Sequence, residues 1–256
     1  MRYLTGAIVP IAILLIWEFS VQSGFLPRSQ SASPTEIVLT IGNLLSDFSF
    51  LKNVWVSTLR VVVGVGLGAA FGATLGVIVA ANTPLRIALS PLLAFLAGVP
   101  VVVWMPFWIM TFGTGEIFRI GLVGIAAFFL VYSVAFITTR RASRTYYELL
   151  QIYEKPALFS LLNIYIPSAA SAIFTGMRLA LGLGWVILFF VEYAVARPGS
   201  EGLGWFVANA RAVGRVEQEF AGLIVLGIIA YGIDVLMATL QKATLSWADA
   251  IEDRPE

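Results

Sequence analysis

The chain contains no cysteine and no histidine among its 256 residues. Disulfides, thiolate nucleophiles, zinc sites of the usual kind and histidine acid–base chemistry are thereby excluded. Charge is also scarce: 12% of residues are charged, against about 25% in an ordinary soluble domain. With 16 basic and 15 acidic residues the net charge is +1, which provides no field to recruit nucleic acid. No Gly-Lys pair occurs, so the phosphate-cradling G-x-x-x-x-G-K-[ST] loop is missing and ATP hydrolysis by that route is excluded. Nor is there an H-E-x-x-H, a recognisable aspartate pair or a serine with a basic partner for intramembrane proteolysis. These absences predict a chain with no catalytic residues, no metal site and no cofactor of its own.

What is present is apolar. Hydrophobic residues make up 59% of the sequence, and the mean hydropathy is +0.90. A membrane-crossing helix needs about 20 mostly apolar residues, because the hydrocarbon core is about 30 Å thick. Six stretches meet that requirement, over residues 4–21, 54–81, 87–112, 117–138, 169–195 and 220–240. The first is followed by Trp17-Glu18-Phe19 rather than a small-residue cleavage site, which identifies it as a retained span rather than a signal peptide. An all-α membrane protein of about six transmembrane helices, forming a single domain over residues 1–256, is the predicted fold class.

Between the first two spans, Ser33-Pro34-Thr35-Glu36 reads as the start of a short helix on the membrane surface, with Pro at its first position and an acid in its first turn. Arg140, Arg141, Arg144 and Lys155 form the densest basic cluster and place the 140–167 loop in the cytoplasm. An even span count puts both termini on that same side. In the second span Gly64, Gly68, Gly72 and Gly76 share one helical stripe, where a neighbouring backbone can approach closely. Three charges fall late in the chain's spans: Arg178 and Glu192 in the fifth, Asp234 in the sixth. Charge is costly in hydrocarbon, and each fits either a wet pathway for an anion or polar solute, or interhelical glue.

The segment Glu148-Leu149-Leu150-Gln151-Ile152-Tyr153-Glu154, with Ile166-Pro167 after it, resembles the cytoplasmic E-A-A motif of ABC importer permeases. Glu148 and Pro167 match that motif; Leu149 and Leu150 replace its alanines and Glu154 its glycine. The run Pro100, Trp104-Met105-Pro106-Phe107 and Phe112-Gly113-Thr114-Gly115-Glu116 is similar to the third-span signature of the nitrate/sulfonate/taurine branch. So are Ser33-Pro34-Thr35-Glu36, the stretch Gly176-Met177-Arg178-Leu179-Ala180-Leu181-Gly182 with Trp185 and Glu192, Gly202-Leu203-Gly204, and Asp234.

The resemblance implies a type I ABC importer permease fold in a bacterial inner membrane. It implies separate ATPase subunits that bind ATP and Mg, an extracytoplasmic solute-binding protein and a second permease subunit as partners. Arg144, Tyr147, Glu148, Leu149, Leu150, Tyr153, Glu154, Pro156 and Pro167 would couple the chain to the ATPase, on a lever with halves 144–154 and 156–164. Arg178, Trp185, Glu192, Trp104 and Pro106 would line the translocation pathway. Its solute would be a small organic or inorganic anion of the sulfonate, taurine or nitrate kind. Bulky residues at the alanine positions suit a pairing with a different permease. Two other classes remain open on the residues alone: a secondary transporter or facilitator, and a non-conducting membrane scaffold.

Overall fold

The computed structural model describes residues 2–146 and 156–244. Among the described residues every regular element is helical: α1 (Arg2–Gln22), α2 (Pro34–Leu44), α3 (Phe48–Ala81), α4 (Thr83–Ala97), α5 (Met105–Phe112), α6 (Glu116–Thr145), α7 (Ala157–Ser160), α8 (Ile166–Ala194), α9 (Leu203–Ala212) and α10 (Val216–Thr244). A 3₁₀ turn over Val101–Trp104 leads into α5, and a π turn over Leu161–Tyr165 leads into α8. Pro156 stands directly before α7, its carbonyl accepting the Ser160 N–H at 3.2 Å, as a residue that starts a helix. Of the expected coupling residues, Tyr147, Glu148, Leu149, Leu150, Tyr153 and Glu154 lie outside the described residues, and the backbone of Arg144 belongs to the last turn of α6.

The helix starts follow from their caps. Ser33 accepts the Glu36 N–H at 3.3 Å while the Glu36 carboxylate accepts the Ser33 N–H at 3.1 Å, a capping box with Pro34 at the first helical position. Asn82 likewise caps α4 by accepting the Leu85 N–H at 3.1 Å.

α3, α6, α8 and α10 are each long and apolar enough to cross a membrane. The apolar stretch read as one span over 87–112 is bent: α4 and the 101–112 segment meet at 94°. The break falls at Gly98-Val99-Pro100. Pro100 has no N–H to continue the ladder, and its ring pushes Val99 out of the helical region. The uninterrupted apolar run hides this, because an apolar sequence without periodicity carries no sign of direction.

The described residues group into two compact units, one of Met1–Thr58 with Phe189–Ile229 and the other of Leu59–Leu188 with Ala230–Glu256. In the second unit the glycine stripe of α3 lies directly on the backbone of α6. A Cβ on Gly64 would meet the Ile120 carbonyl oxygen at 2.9 Å, on Gly72 that of Phe128 at 2.5 Å and on Gly76 that of Tyr132 at 2.7 Å, with Gly124 opposite Gly68. Both stripes advance four residues per contact in the same direction, so α3 and α6 run parallel. The chain between them must therefore return to its starting face, and the bent α4–α5 segment makes that return. Gly176 packs on Val134 and Gly184 on Val123, so α8 runs antiparallel to α6. Val77, Ala135 and Ala169 close the core where the three helices meet, with Leu161, Tyr165 and Ile173 against them.

In the first unit Phe50 meets Phe206 edge-on at 4.8 Å, and Trp17 lies 5.8 Å from Phe220. Arg211 pairs with Glu219 at 2.8 Å, and that carboxylate raises the guanidinium above its ordinary pKa.

Candidate functional site

Three polar constellations interrupt the apolar helices. The first is built at the start of α9. A helix leaves its first N–H groups unsatisfied, and here side chains from other helices take three in succession. Asn53 accepts the Gly202 N–H at 2.8 Å, Ser57 accepts the Leu203 N–H at 2.8 Å, and Glu192 accepts the Gly204 N–H at 2.9 Å. The Ser57 hydroxyl donates in turn to the Glu192 carboxylate, at 2.8 and 2.9 Å from its two oxygens. Asn53 and Ser57 stand one turn apart on α3, and Glu192 closes α8. All three side chains are buried, Glu192 at 2% exposure. A carboxylate against the positive end of a helix, hydrogen-bonded to a backbone N–H, is a favourable arrangement for a buried negative charge. Gly202 begins the turn at φ 128°, open to glycine at little cost, and a Cβ there would run into the Glu192 carboxylate.

The second constellation joins α3 to the start of α6. Arg60, 4% exposed, grips the half-exposed Glu116 with its Nε at 2.7 Å from Oε2 and its Nη2 against Oε1. Arg119, three residues along α6, donates to Glu116 Oε1 at 2.9 Å, and its buried Nε has no partner among the described residues. Two guanidiniums thus converge on one carboxylate, a geometry with the bidentate strength of an Arg–carboxylate fork on the Arg60 side.

The third lies along α8 and α10. Arg178 and Asp234 form a bidentate pair, Nε to Oδ1 and Nη2 to Oδ2, both at 3.0 Å. Their side chains are 32% and 42% exposed. Gln241 donates to Thr175 at 3.3 Å on the same helix seam, so α8 and α10 run antiparallel there. α10 is otherwise largely uncovered, with Ile228, Tyr231, Val235 and Leu236 all exposed.

The remaining expected pathway residues fall as follows. Trp185 is buried in α8 at 2% exposure, Trp104 ends the 3₁₀ turn half-buried, and both indole N–H groups lack a partner among the described residues. Pro106 is exposed in the first turn of α5, and Pro167 is half-buried in the first turn of α8. Glu192 and Arg178, on one helix, each have their own partners. Arg60 and Arg119 were findable: both lie inside apolar spans drawn from the sequence, where a charge marks a constrained site. Beside α2, the side chains of Arg28, Glu36, Thr40 and Glu217 help line an open surface groove of about 440 Å³, which contains none of the expected pathway residues.

Residues 72–245 match the family described as binding-protein-dependent transport system inner membrane component. The chain belongs to that family. It is 27% identical over 250 residues to a putative aliphatic sulfonates transport permease of Bacillus subtilis, covering 98% of this chain and 90% of that protein. A taurine transport system permease of Escherichia coli is 24% identical (98% and 92% covered), and a bicarbonate transport system permease of Synechococcus elongatus 26% (93% and 90%). Among solved structures, an inward-facing MetNI methionine ABC transporter superposes with a TM-score of 0.63 at 15% identity, over 77% of this chain and 96% of that one. A bacterial ABC transporter involved in the import of the acidic polysaccharide alginate gives 0.62 at 13% identity, over 95% and 96%. The fold is that of ABC importer permeases, and the permease is a transport component rather than an enzyme.

Proposed function

We propose that this permease forms the translocation pathway for a small oxyanion of the sulfonate, taurine, nitrate or bicarbonate kind. The observation that carries the reading is the near full-length match to relatives named for sulfonates, taurine and bicarbonate. Those solutes share one chemistry: a compact group with two or more oxygens able to accept from a guanidinium.

Import is driven by separate ATPase subunits, which bind ATP and Mg and dock on the cytoplasmic loop over 140–167. An extracytoplasmic solute-binding protein delivers the anion, and both termini lie in the cytoplasm with Arg140 and Arg141. The permease pairs with a second, different permease, because Leu149 and Leu150 stand where close seating on an ATPase favours alanine. Subunit analysis of the purified complex checks the pairing; two copies of this chain on one ATPase pair would sink it.

The functional reading is tested by ATP hydrolysis in the purified complex. Solute-binding protein loaded with taurine, methanesulfonate, nitrate or bicarbonate is added, with unloaded protein as control. Hydrolysis rises several-fold with one of these ligands. Equal rates with every loaded and unloaded form would refute the reading.

A further inference from the structure

Arg178 and Asp234 face one another part-way along two spanning helices, and among the described residues neither has another charged or hydrogen-bonding partner. Charge exposed to acyl chains costs about 2.5–3.5 kcal/mol at a helix centre even on the milder scale. Both side chains are nonetheless about a third or more exposed. That stretch of the α8/α10 seam therefore borders water or protein rather than lipid. A pair kept only to hold the helices together is dispensable in principle, since apolar residues of similar volume often serve as well.

The form of the pair matters too. Asp234 places two oxygens on two N–H donors of one guanidinium, and this is the contact a sulfonate, nitrate or bicarbonate would itself make. Two turns further along α8, about 10 Å away, Trp185 lies on the same stripe, its buried indole N–H without an acceptor among the described residues.

We infer that Asp234 is a tethered stand-in for the transported anion. Its carboxylate holds Arg178 when the pathway is empty and gives way to an incoming oxyanion, which takes over the same two N–H donors. The inference rests on the oxyanion reading of the solute. The resting pathway then never carries a naked guanidinium. The exchange replaces one two-oxygen contact by another, so the anion is neither excluded nor trapped, as conduction requires.

The test is direct binding of labelled taurine, nitrate and bicarbonate to the purified permease–ATPase complex without its binding protein, alongside uptake by the complete complex in proteoliposomes. Asp234→Asn keeps the shape and removes the competing charge; it is expected to bind the anion about tenfold tighter and to release it more slowly. The double variant Arg178→Leu/Asp234→Leu is expected to lose binding and at least 90% of uptake while the complex still assembles. A purely structural pair predicts the reverse: Asn weakens or leaves binding unchanged and the double variant transports normally. Asp234→Asn alone decides the matter should the double variant not assemble. A wild-type complex that neither binds nor imports any of the three anions overturns the oxyanion reading and this inference with it. Wild-type import of one of them, with no tighter binding by Asp234→Asn, overturns this inference alone.

Discussion

Glu192 and Gly202 meet with the carboxylate of one packed against the Cα of the other, so closely that no Cβ fits between them. The same carboxylate accepts the Gly204 N–H, and through it the end of α8 fixes the start of α9. Glu192→Ala leaves the Gly204 N–H and the Ser57 hydroxyl without their acceptor and is expected to cost about 1–3 kcal/mol. Glu192→Gln, which keeps one acceptor oxygen, costs less. Gly202→Ala is at least as damaging as Glu192→Ala, because it adds backbone strain to the clash. Thermal unfolding midpoints in detergent give the order, and hydrogen exchange at residues 202–204 shows the cap opening first.

The glycines of α3 separate cleanly by face. A Cβ on Gly68 would collide with the Gly124 carbonyl, whereas nothing lies within 4 Å of one on Gly66. Gly68→Ala forces two rigid backbones apart, at about 1–3 kcal/mol. Gly66→Ala costs nothing and gains up to about 1 kcal/mol of helix propensity. The two variants measured side by side in thermal unfolding check the parallel packing of α3 on α6; equal effects would contradict it.

That stripe was legible in the sequence because its cause is local: a four-residue spacing places the glycines on one face whatever lies opposite. The same holds for the helix start at Ser33-Pro34-Thr35-Glu36, and for the presence of the long helices. The break at Pro100 was not legible, although the proline is in plain view, because the apolar run continues through it. Least visible were the long-range partnerships. Asn53 and Ser57 are ordinary helix residues until the chain brings Gly202 and Leu203 to them, and Arg60 reads as an isolated charge until Glu116 is beside it. Asp234 and Arg178 could each be recognised as a costly charge, but not as one another's partner.

The Arg60 and Arg119 sites differ in what they lose. Arg60 is buried and grips Glu116 bidentately, whereas Arg119 makes one bond to Glu116 and its Nε has no partner among the described residues. Arg60→Met is therefore expected to destabilise by about 1–3 kcal/mol, below the 3–5 kcal/mol typical of a fully buried pair because Glu116 is half-exposed. Arg119→Met costs less. Arg60→Lys does not rescue, since an ammonium cannot reproduce the two-pronged contact. Unfolding midpoints of the three variants provide the comparison.

Coupling to the ATPase has its own signature. Glu148→Arg reverses the charge of the matching motif residue and is expected to lower ATP hydrolysis stimulated by the solute-binding protein about tenfold, the equivalent of about 1.4 kcal/mol of docking energy. The unfolding midpoint of the permease stays unchanged. Stimulated hydrolysis equal to wild type would place the ATPase contact elsewhere.

The central claim is that this permease imports a small oxyanion at the expense of ATP. It is tested most directly by accumulation of labelled taurine, nitrate or bicarbonate in proteoliposomes holding the complete complex. The binding protein is supplied outside the membrane and ATP is available to the ATPases. The account predicts accumulation of one of these anions above its external concentration, abolished when ATP is withheld or the binding protein omitted. Uptake that proceeds without ATP and stops at equal concentrations, or no uptake of any of the three anions, would contradict it.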